Sequence, residues 1–455
     1  MQNELKEKYG LGVAICMVIG IVIGGGVFFK AEKILTATGG SQPLGILAWI
    51  IGGAIMVVCA GTFAVMATRY SYVNGLVDYA EVTCGGRYAY FIGWFMAIIY
   101  YPTLTGVLAW VSARFACILF GFEETGGAAL AFSAFFLCAS FAVNALSPIL
   151  AGKFQVATTV IKLIPLFLMG IVGLIVGLNN GMTVQNFTTV VDPSKANAHG
   201  LLTAVVATSF AYEGWIISTS INAELKNSKR NLPIALMVGS VAIIAIYVLY
   251  YVGLTGVVQN SVMMKNGSEG AKLAFQTVFS KAGGTLLYVF IVISCLGTLN
   301  GLMLACSRGL YSLACRGKGP HPALFAQVDP ISNMPTNSAI FGLLLCGAWL
   351  LYFYGANLAD PLWFGKFSFD VSELPIVTVY GLYIPIFISM MRKEKELPFG
   401  QRFVLPFLAL CGSCFMIFAA CMAHGISVVY YLLLFAVIML LGIFFRREGP
   451  VSAAS

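Results

Sequence analysis

Residues 209–219 read SFAYEGWIIST, and Glu213 stands in the middle of that otherwise apolar run. An ionisable side chain in such a setting is costly and marks a functional position by default. Gly214 follows it, the residue type that most readily lets a backbone leave a helix. A second interruption is IGGGVFFK, residues 23–30, where Gly24, Gly25 and Gly26 fall near the middle of the first apolar stretch. Each glycine there costs a helix interior about 0.5–1 kcal/mol relative to alanine. A third position is Lys162, set well inside an apolar stretch about 12–14 Å beyond Lys153 at 1.5 Å per helical residue.

These groups offer binding rather than bond-making. A broken helix exposes N–H groups of partial positive charge on one half and carbonyls of partial negative charge on the other. A zwitterionic α-amino acid fits both ends. Its carboxylate would accept from the N–H groups around Gly25, Gly26 and Val27, with Gly24 letting the ligand approach the backbone. Its ammonium would donate to carbonyls near Val22, Ile23, Phe210 and Ala211. Close helix packing is the other reason for glycines in an apolar segment, and the second break at Glu213 weighs against it.

The elements that must hold such a site are membrane-spanning helices. The 455 residues are 59% hydrophobic and only 10% charged, where a soluble domain carries about 25% charged residues. Spans of roughly 20 apolar residues are expected at about 11–37, 44–69, 89–120, 128–149, 154–178, 200–223, 232–259, 272–313, 336–354, 369–391, 402–422 and 426–446. The two long ones, 89–120 and 272–313, tilt or continue as helix beyond the bilayer. No stretch is long and polar enough for a soluble domain. The polar start MQNELKEKYG and the long run after it do not read as a cleavable signal.

Lysines and arginines divide unequally between the two sides, 17 with the termini, Arg447 among them, and 8 opposite, with Lys162 left inside a span. That bias puts both termini in the cytoplasm and accounts for the net charge of +8 without any nucleic-acid partner. The breaks fall in spans 1 and 6, as they would if two five-span halves of opposite orientation were repeated, and paired breaks point to a transporter site.

Other chemistry finds little support. His199, His321 and His424 fall in loops or at span ends, and no metalloprotease, nucleophile-elbow or phosphate-loop motif is present. The twelve cysteines are scattered through apolar runs, and the Cys411–Cys414 pair lies within one, so free buried thiols are expected rather than a disulfide or metal framework. The expectation is a membrane protein that is not an enzyme and holds no cofactor or metal. A channel fits paired mid-membrane breaks and a buried lysine less well than a closed site does.

Several segments resemble the amino acid/polyamine/organocation superfamily, and within it the L-amino acid transporter branch with its bacterial serine/threonine exchangers. GGGVF at 24–28, FAYEGW at 210–215, ELKNSKRNLPIAL at 224–236, GTLNG at 297–301 and SRGLYSLACRGKGP at 307–320 resemble that branch's motifs in order. The resemblance implies an all-α, twelve-helix protein of the leucine-transporter type. One repeat would cover about 11–178, its inverted partner about 200–391, and two extra helices about 402–446. It implies neutral amino acid transport by alternating access, most often as exchange of small side chains such as serine, threonine, alanine or cysteine, with proton-coupled symport or uniport as the alternative. The chain departs from the pattern at Gly25, where serine is usual, and at Ser228, where proline is usual. Cys315, Lys318 and Lys30 depart as well, and Lys30 has no assignment beyond an outward position.

Single residues carry readings of their own, and for Phe210 the resemblance implies a gate over the substrate. Lys162 would bridge span 5 to the unwound backbone of span 1 and to a span 8 hydroxyl, Ser294 or Thr298, where sodium-coupled relatives hold sodium. Proton coupling would have to titrate it, and snorkelling to the nearer surface is the other reading. Glu213 would assist the ammonium, carry a proton, or cap the second half of span 6. Tyr100, Tyr101 and Asn300 are candidate pocket residues, Asp370 and Glu373 are expected to be solvated, and Arg308 and Arg316 to be structural or gating. Animal members join a heavy chain through a cysteine in the loop after span 3. Residues 121–128, GFEETGGA, have none, so no disulfide-linked partner is expected.

Overall fold

In the computed structural model, residues 5–267 and 269–446 are described; Arg447, counted above among the cations, lies outside them. Among the described residues, twelve helices are long and apolar enough to cross a membrane: Leu11–Ala37, Gln42–Arg69, Gly86–Phe120, Gly127–Leu146, Pro148–Asn179, Ala198–Glu224, Ser228–Val257, Glu269–Ala314, Thr336–Asn357, Pro375–Lys393, Gly400–His424 and Ser427–Phe444, taken below as spans 1 to 12. Among the described residues the only β pairing is an isolated bridge between Tyr9 and Leu225.

Spans 1, 6 and 8 form the centre. Span 8 is the most buried, with 72% of its apolar window inside the protein, whereas spans 4 and 12 have 22% and 17% and stand at the edge. Span 7 packs on spans 2 and 5, span 8 on spans 3, 5 and 9, and span 11 on spans 2 and 10. Spans 5 and 7 touch backbone to backbone. A Cβ on Gly173 would lie 2.4 Å from the Gly253 carbonyl oxygen, and one on Gly253 would lie 2.3 Å from that of Met169. With no hydrophobic gain between helices in lipid, such contact through small residues is what holds them.

Three local features depart from plain helices. Span 1 is helical over Leu11–Val22, loses the pattern at 23–25, and resumes as a 3₁₀ turn, Gly26–Phe29, and a helix, Lys30–Ala37. Span 6 is helical over Ala198–Ser209, then 3₁₀ on both sides of an interruption at Glu213 and Gly214. Span 8 is not one long tilted helix. It bends at Phe279 and Ser280, and the latter has φ 64°, so residues 269–279 are a separate helix on the side away from the termini. A short helix outside the span count, Gly75–Cys84, lies between spans 2 and 3 on the side of the termini and carries Asp78 and Glu81.

Candidate functional site

The two interruptions meet. A cavity of about 300 Å³ is lined by Val22, Gly24, Gly25, Gly26 and Val27 from span 1, by Phe210, Ala211, Glu213 and Gly214 from span 6, and by Thr298 from span 8. Leu104, Val107 and Leu108 of span 3, Ile217 and Ile376 supply apolar wall. The N–H groups that open the second half of span 1, at Gly25, Gly26 and Val27, are those a helix leaves without an internal partner; that of Gly25 meets the Cys295 thiol, and all three residues line this space. The break in span 6 rests on Gly214, whose φ of 101° is a left-handed conformation that other residues adopt at a cost.

Both broken ends are tied by one hydroxyl. Tyr247 Oη of span 7 lies 3.2 Å from the carbonyl oxygen of Val22 and 3.1 Å from that of Ala211, within donating distance of both. Unwound carbonyls buried in a membrane protein need such partners. Tyr247 is itself fixed against Trp49, with ring centroids 5.0 Å apart. Each carbonyl oxygen keeps a second lone pair for a ligand.

Behind the cavity wall, Lys162 Nζ donates to the carbonyls of Gly20 at 2.8 Å and Ile23 at 2.7 Å and to Thr298 Oγ1 at 3.0 Å. Thr298 in turn donates to the Gly20 carbonyl at 2.7 Å, and Ser294 reaches the carbonyls of Ile23 and Gly24 at 3.4 and 3.3 Å. Among the described residues no carboxylate lies within ion-pair distance of Lys162. The fully buried ammonium is held by backbone dipoles at the carbonyl end of the first half-helix, where a cation is favoured. Ile23, expected to face the ligand, therefore lies outside the cavity, because its carbonyl is turned to Lys162. Lys162 and Ser294 act from behind the same wall, and of the two candidate hydroxyls Thr298 is the one that bonds the lysine.

Glu213 is engaged from span 3. Its Oε1 accepts from Tyr100 Oη at 2.7 Å, and the carboxylate lies buried beside the cavity with the Gly214 N–H and the Tyr380 hydroxyl near it. Tyr100 ends a π-helical turn, Met96–Tyr100, inside span 3; such turns re-aim side chains and recur at functional sites. Tyr101 instead accepts from Asn74 Nδ2 at 3.3 Å. Asn300 is spent on tying spans 4, 5 and 8 together, through Asn144, Gln155 and the Ala151 carbonyl, and does not line the cavity.

The cavity leads toward the side away from the termini, where Lys30, Ser372 and Glu373 line it. Glu373, expected to be solvated, has only 33% of its side chain exposed and sits 3.1 Å from His424 Nε2, while the His424 ring packs edge-on against Phe210 at 6.0 Å. Burial alone would raise the Glu373 carboxyl, but the His424 contact and the cations of Lys30 and Lys33 outweigh it and hold it below the ordinary glutamate value. Asp370 turns back on its own loop and accepts from the Ser372 N–H and hydroxyl. The sequence marked Lys30 only as outward and Glu373 only as solvated, and nothing in it placed either at the cavity.

Toward the termini the path is blocked twice. Trp215 packs beside an aromatic layer in which Phe63 meets Tyr383 at 5.0 Å and Phe387 at 5.1 Å. Beyond it, Glu224 at the end of span 6 pairs with both Arg308 and Lys8, and Arg316 pairs with Asp78 and, at 2.8 Å, with Glu81. Arg308 and Glu224 are buried to 1% and 0% exposure. Groups of histidine, cysteine or acidic residues able to hold a metal ion are absent among the described residues. Cys117 is buried inside span 3, and Cys411 and Cys414 are exposed on span 11 with no bond between them.

Residues 10–444 match the sequence profile of the amino acid permease family. The chain is 28% identical over 423 residues, 91% of each protein, to the serine/threonine exchanger SteT of Bacillus subtilis. It is 24% identical over 419 residues, 92% of this chain and 83% of the other, to the human b(0,+)-type amino acid transporter 1. A third relative, the glutamate/serine transporter AimA of Bacillus subtilis, is 25% identical over 376 residues, 78% of this chain and 67% of that one.

Proposed function

We propose that this chain, which belongs to the amino acid permease family, exchanges small neutral L-amino acids such as serine, threonine, alanine and cysteine across the cell membrane. The observation that carries the reading is the convergence of two broken spans on one cavity that offers N–H groups from span 1 and carbonyls from both spans. The carboxylate would rest on Gly25, Gly26 and Val27, and the ammonium on the Val22 and Ala211 carbonyls with Glu213 beside it. Phe210 would close over the ligand, and Lys162 with Ser294 and Thr298 would set the shape of the span 1 break. The apolar wall of Leu104, Val107 and Ile217 suits a short side chain. The serine/threonine exchanger among the relatives supports the same class.

In this reading the two halves, about 11–178 and 200–391, are inverted repeats, both termini are cytoplasmic, and the present arrangement is closed toward the cytoplasm by the Glu224 and Arg316 ion pairs. No disulfide-linked heavy chain takes part. Coupling to protons is the second reading, favoured by the buried carboxyl of Glu213 beside the cavity.

Counterflow in proteoliposomes tests both. Uptake of labelled serine is expected to require unlabelled amino acid inside, to be competed by threonine, alanine and cysteine, and to be indifferent to sodium. Uptake driven by an imposed pH gradient into empty vesicles would move the assignment to symport. Within the site, Gly214→Ala is expected to slow exchange at least tenfold. A side chain at φ 101° costs about 1–3 kcal/mol, and its Cβ would lie 3.1 Å from Ile21 Cγ2. A wild-type initial rate in the folded variant would remove the break from the mechanism.

A further inference from the structure

We infer that a cleft between the N-terminal segment and the start of span 5 binds an anionic phospholipid of the leaflet on the side of the termini. The cleft is separate from the central cavity, encloses about 330 Å³, and is lined by Lys8, Tyr9, Val13, Ile149, Gly152, Lys153, Val156 and Ala157. A volume near 300 Å³ is already that of a small-ligand site.

Its position says what fills it. Span 5 shows lipid a continuous apolar face, with Ile149, Val160, Ile164, Phe167 and Ile171 all exposed at helical spacing. Lys153 and Ala157 fall on the same face, one and two turns after Ile149, where the cleft opens. An acyl chain lying along that face runs into the cleft, and its headgroup then reaches the Lys153 ammonium. Lys153 is exposed, and among the described residues its ammonium has no ion pair or hydrogen bond.

The charge nearby is positive. Lys8 and Arg308 share the single carboxylate of Glu224, and Lys226, whose N–H donates to the Tyr9 carbonyl at 2.9 Å, adds another cation. A lysine that merely snorkels from a helix face needs no cleft beside it. Here the wall is built, with Tyr9 fixed by its hydroxyl on the Pro148 carbonyl at 2.9 Å and its ring seated on Gly152, where a Cβ would lie 2.9 Å away. The occupant therefore combines an apolar chain with an anionic head, which is an acidic phospholipid.

The full-length protein, reconstituted in nanodiscs of equimolar palmitoyl-oleoyl phosphatidylglycerol and phosphatidylcholine, is released into mild detergent and its retained lipids are counted by native mass spectrometry. Wild type is expected to keep phosphatidylglycerol in preference to phosphatidylcholine. Lys153→Gln lowers that preference about fivefold, the worth of roughly 1 kcal/mol for one lysine at an anionic surface. Ala157→Phe, a change at an exposed position that fills the cleft, lowers retention of both lipids. Lys281→Gln, the same charge change on the opposite side, leaves wild-type retention. Equal retention of the two lipids by wild type overturns the assignment. So does Lys153→Gln behaving as Lys281→Gln, or Ala157→Phe retaining as much as wild type.

Discussion

Lys162→Ala is expected to lower the initial rate of amino acid exchange by about a hundredfold, or roughly 2.7 kcal/mol, in a protein that still folds. The ammonium donates to Gly20 O, Ile23 O and Thr298 Oγ1, and these bonds fix where the first half of span 1 stops. Without it two buried carbonyls lose their charged donor and keep only the hydroxyls of Thr298 and Ser294, and a hydrogen bond to a charged group is worth about 1.5–3 kcal/mol. The cheapest relief is for span 1 to wind one more turn, which would withdraw the N–H groups of Gly25 and Gly26 from the cavity. Folding survives because, among the described residues, no carboxylate depends on this lysine, so its removal leaves no buried charge there uncompensated. Exchange in proteoliposomes, read beside the thermal melt of the purified variant, is the check. A folded variant with undiminished exchange would remove Lys162 from the mechanism.

Glu224→Ala is expected to have the opposite signature, a loss of stability of about 3–5 kcal/mol, as for breaking a buried pair from one side. Glu224 is the carboxylate that Arg308, at 1% exposure, pairs with, and it also holds Lys8. Removing it strands a guanidinium in the protein. Removing the guanidinium as well should restore most of the loss, because replacing a whole buried pair by apolar groups is often neutral. The measurement is a melting comparison of Glu224→Ala, Arg308→Met and the double variant. A Glu224→Ala protein that melts with wild type would mean the pair is structurally idle. A double variant no better than Glu224→Ala would mean that Glu224 acts through something other than Arg308. On the proposed mechanism the double variant, though stable, lacks one of the two ion-pair clusters that close the cytoplasmic side.

How much of this was legible beforehand differs by element. All twelve spans could be read from the sequence, because in a bilayer every backbone polar group must be satisfied within its own helix and a spanning helix needs about 20 apolar residues. That rule acts locally, so local sequence carries it. The breaks at Gly24–Gly26 and at Glu213–Gly214 were legible for the same reason, as exceptions to it. The sequence also marked Lys162 as out of place, since a charge at that depth needs a partner wherever the chain runs.

The partners themselves were decided by the tertiary structure. Lys162 could have met Ser294 or Thr298, one helical turn apart, and only the rotation of span 8 against span 1 chose Thr298. Ile23 lies one residue from the cavity-lining Val22 and Gly24, yet its carbonyl points to the far side of the wall, because a broken helix no longer follows a fixed period. Asn300 looked like a pocket residue and proved to be a brace between spans 4, 5 and 8. Tyr247, which ties both breaks together, is one of 20 tyrosines in the chain and is distinguished only by where span 7 passes. Lys30, at the start of the second half of span 1, and Glu373, just before span 10, are charges that the packing of spans 1, 10 and 11 turned toward the cavity. Sequence by itself determines which helices can exist and where they must fail, because those costs are set residue by residue. Which polar group satisfies each failure depends on how helices are rotated against one another, and in this protein that rotation was fixed by distant backbone contacts such as those between spans 5 and 7.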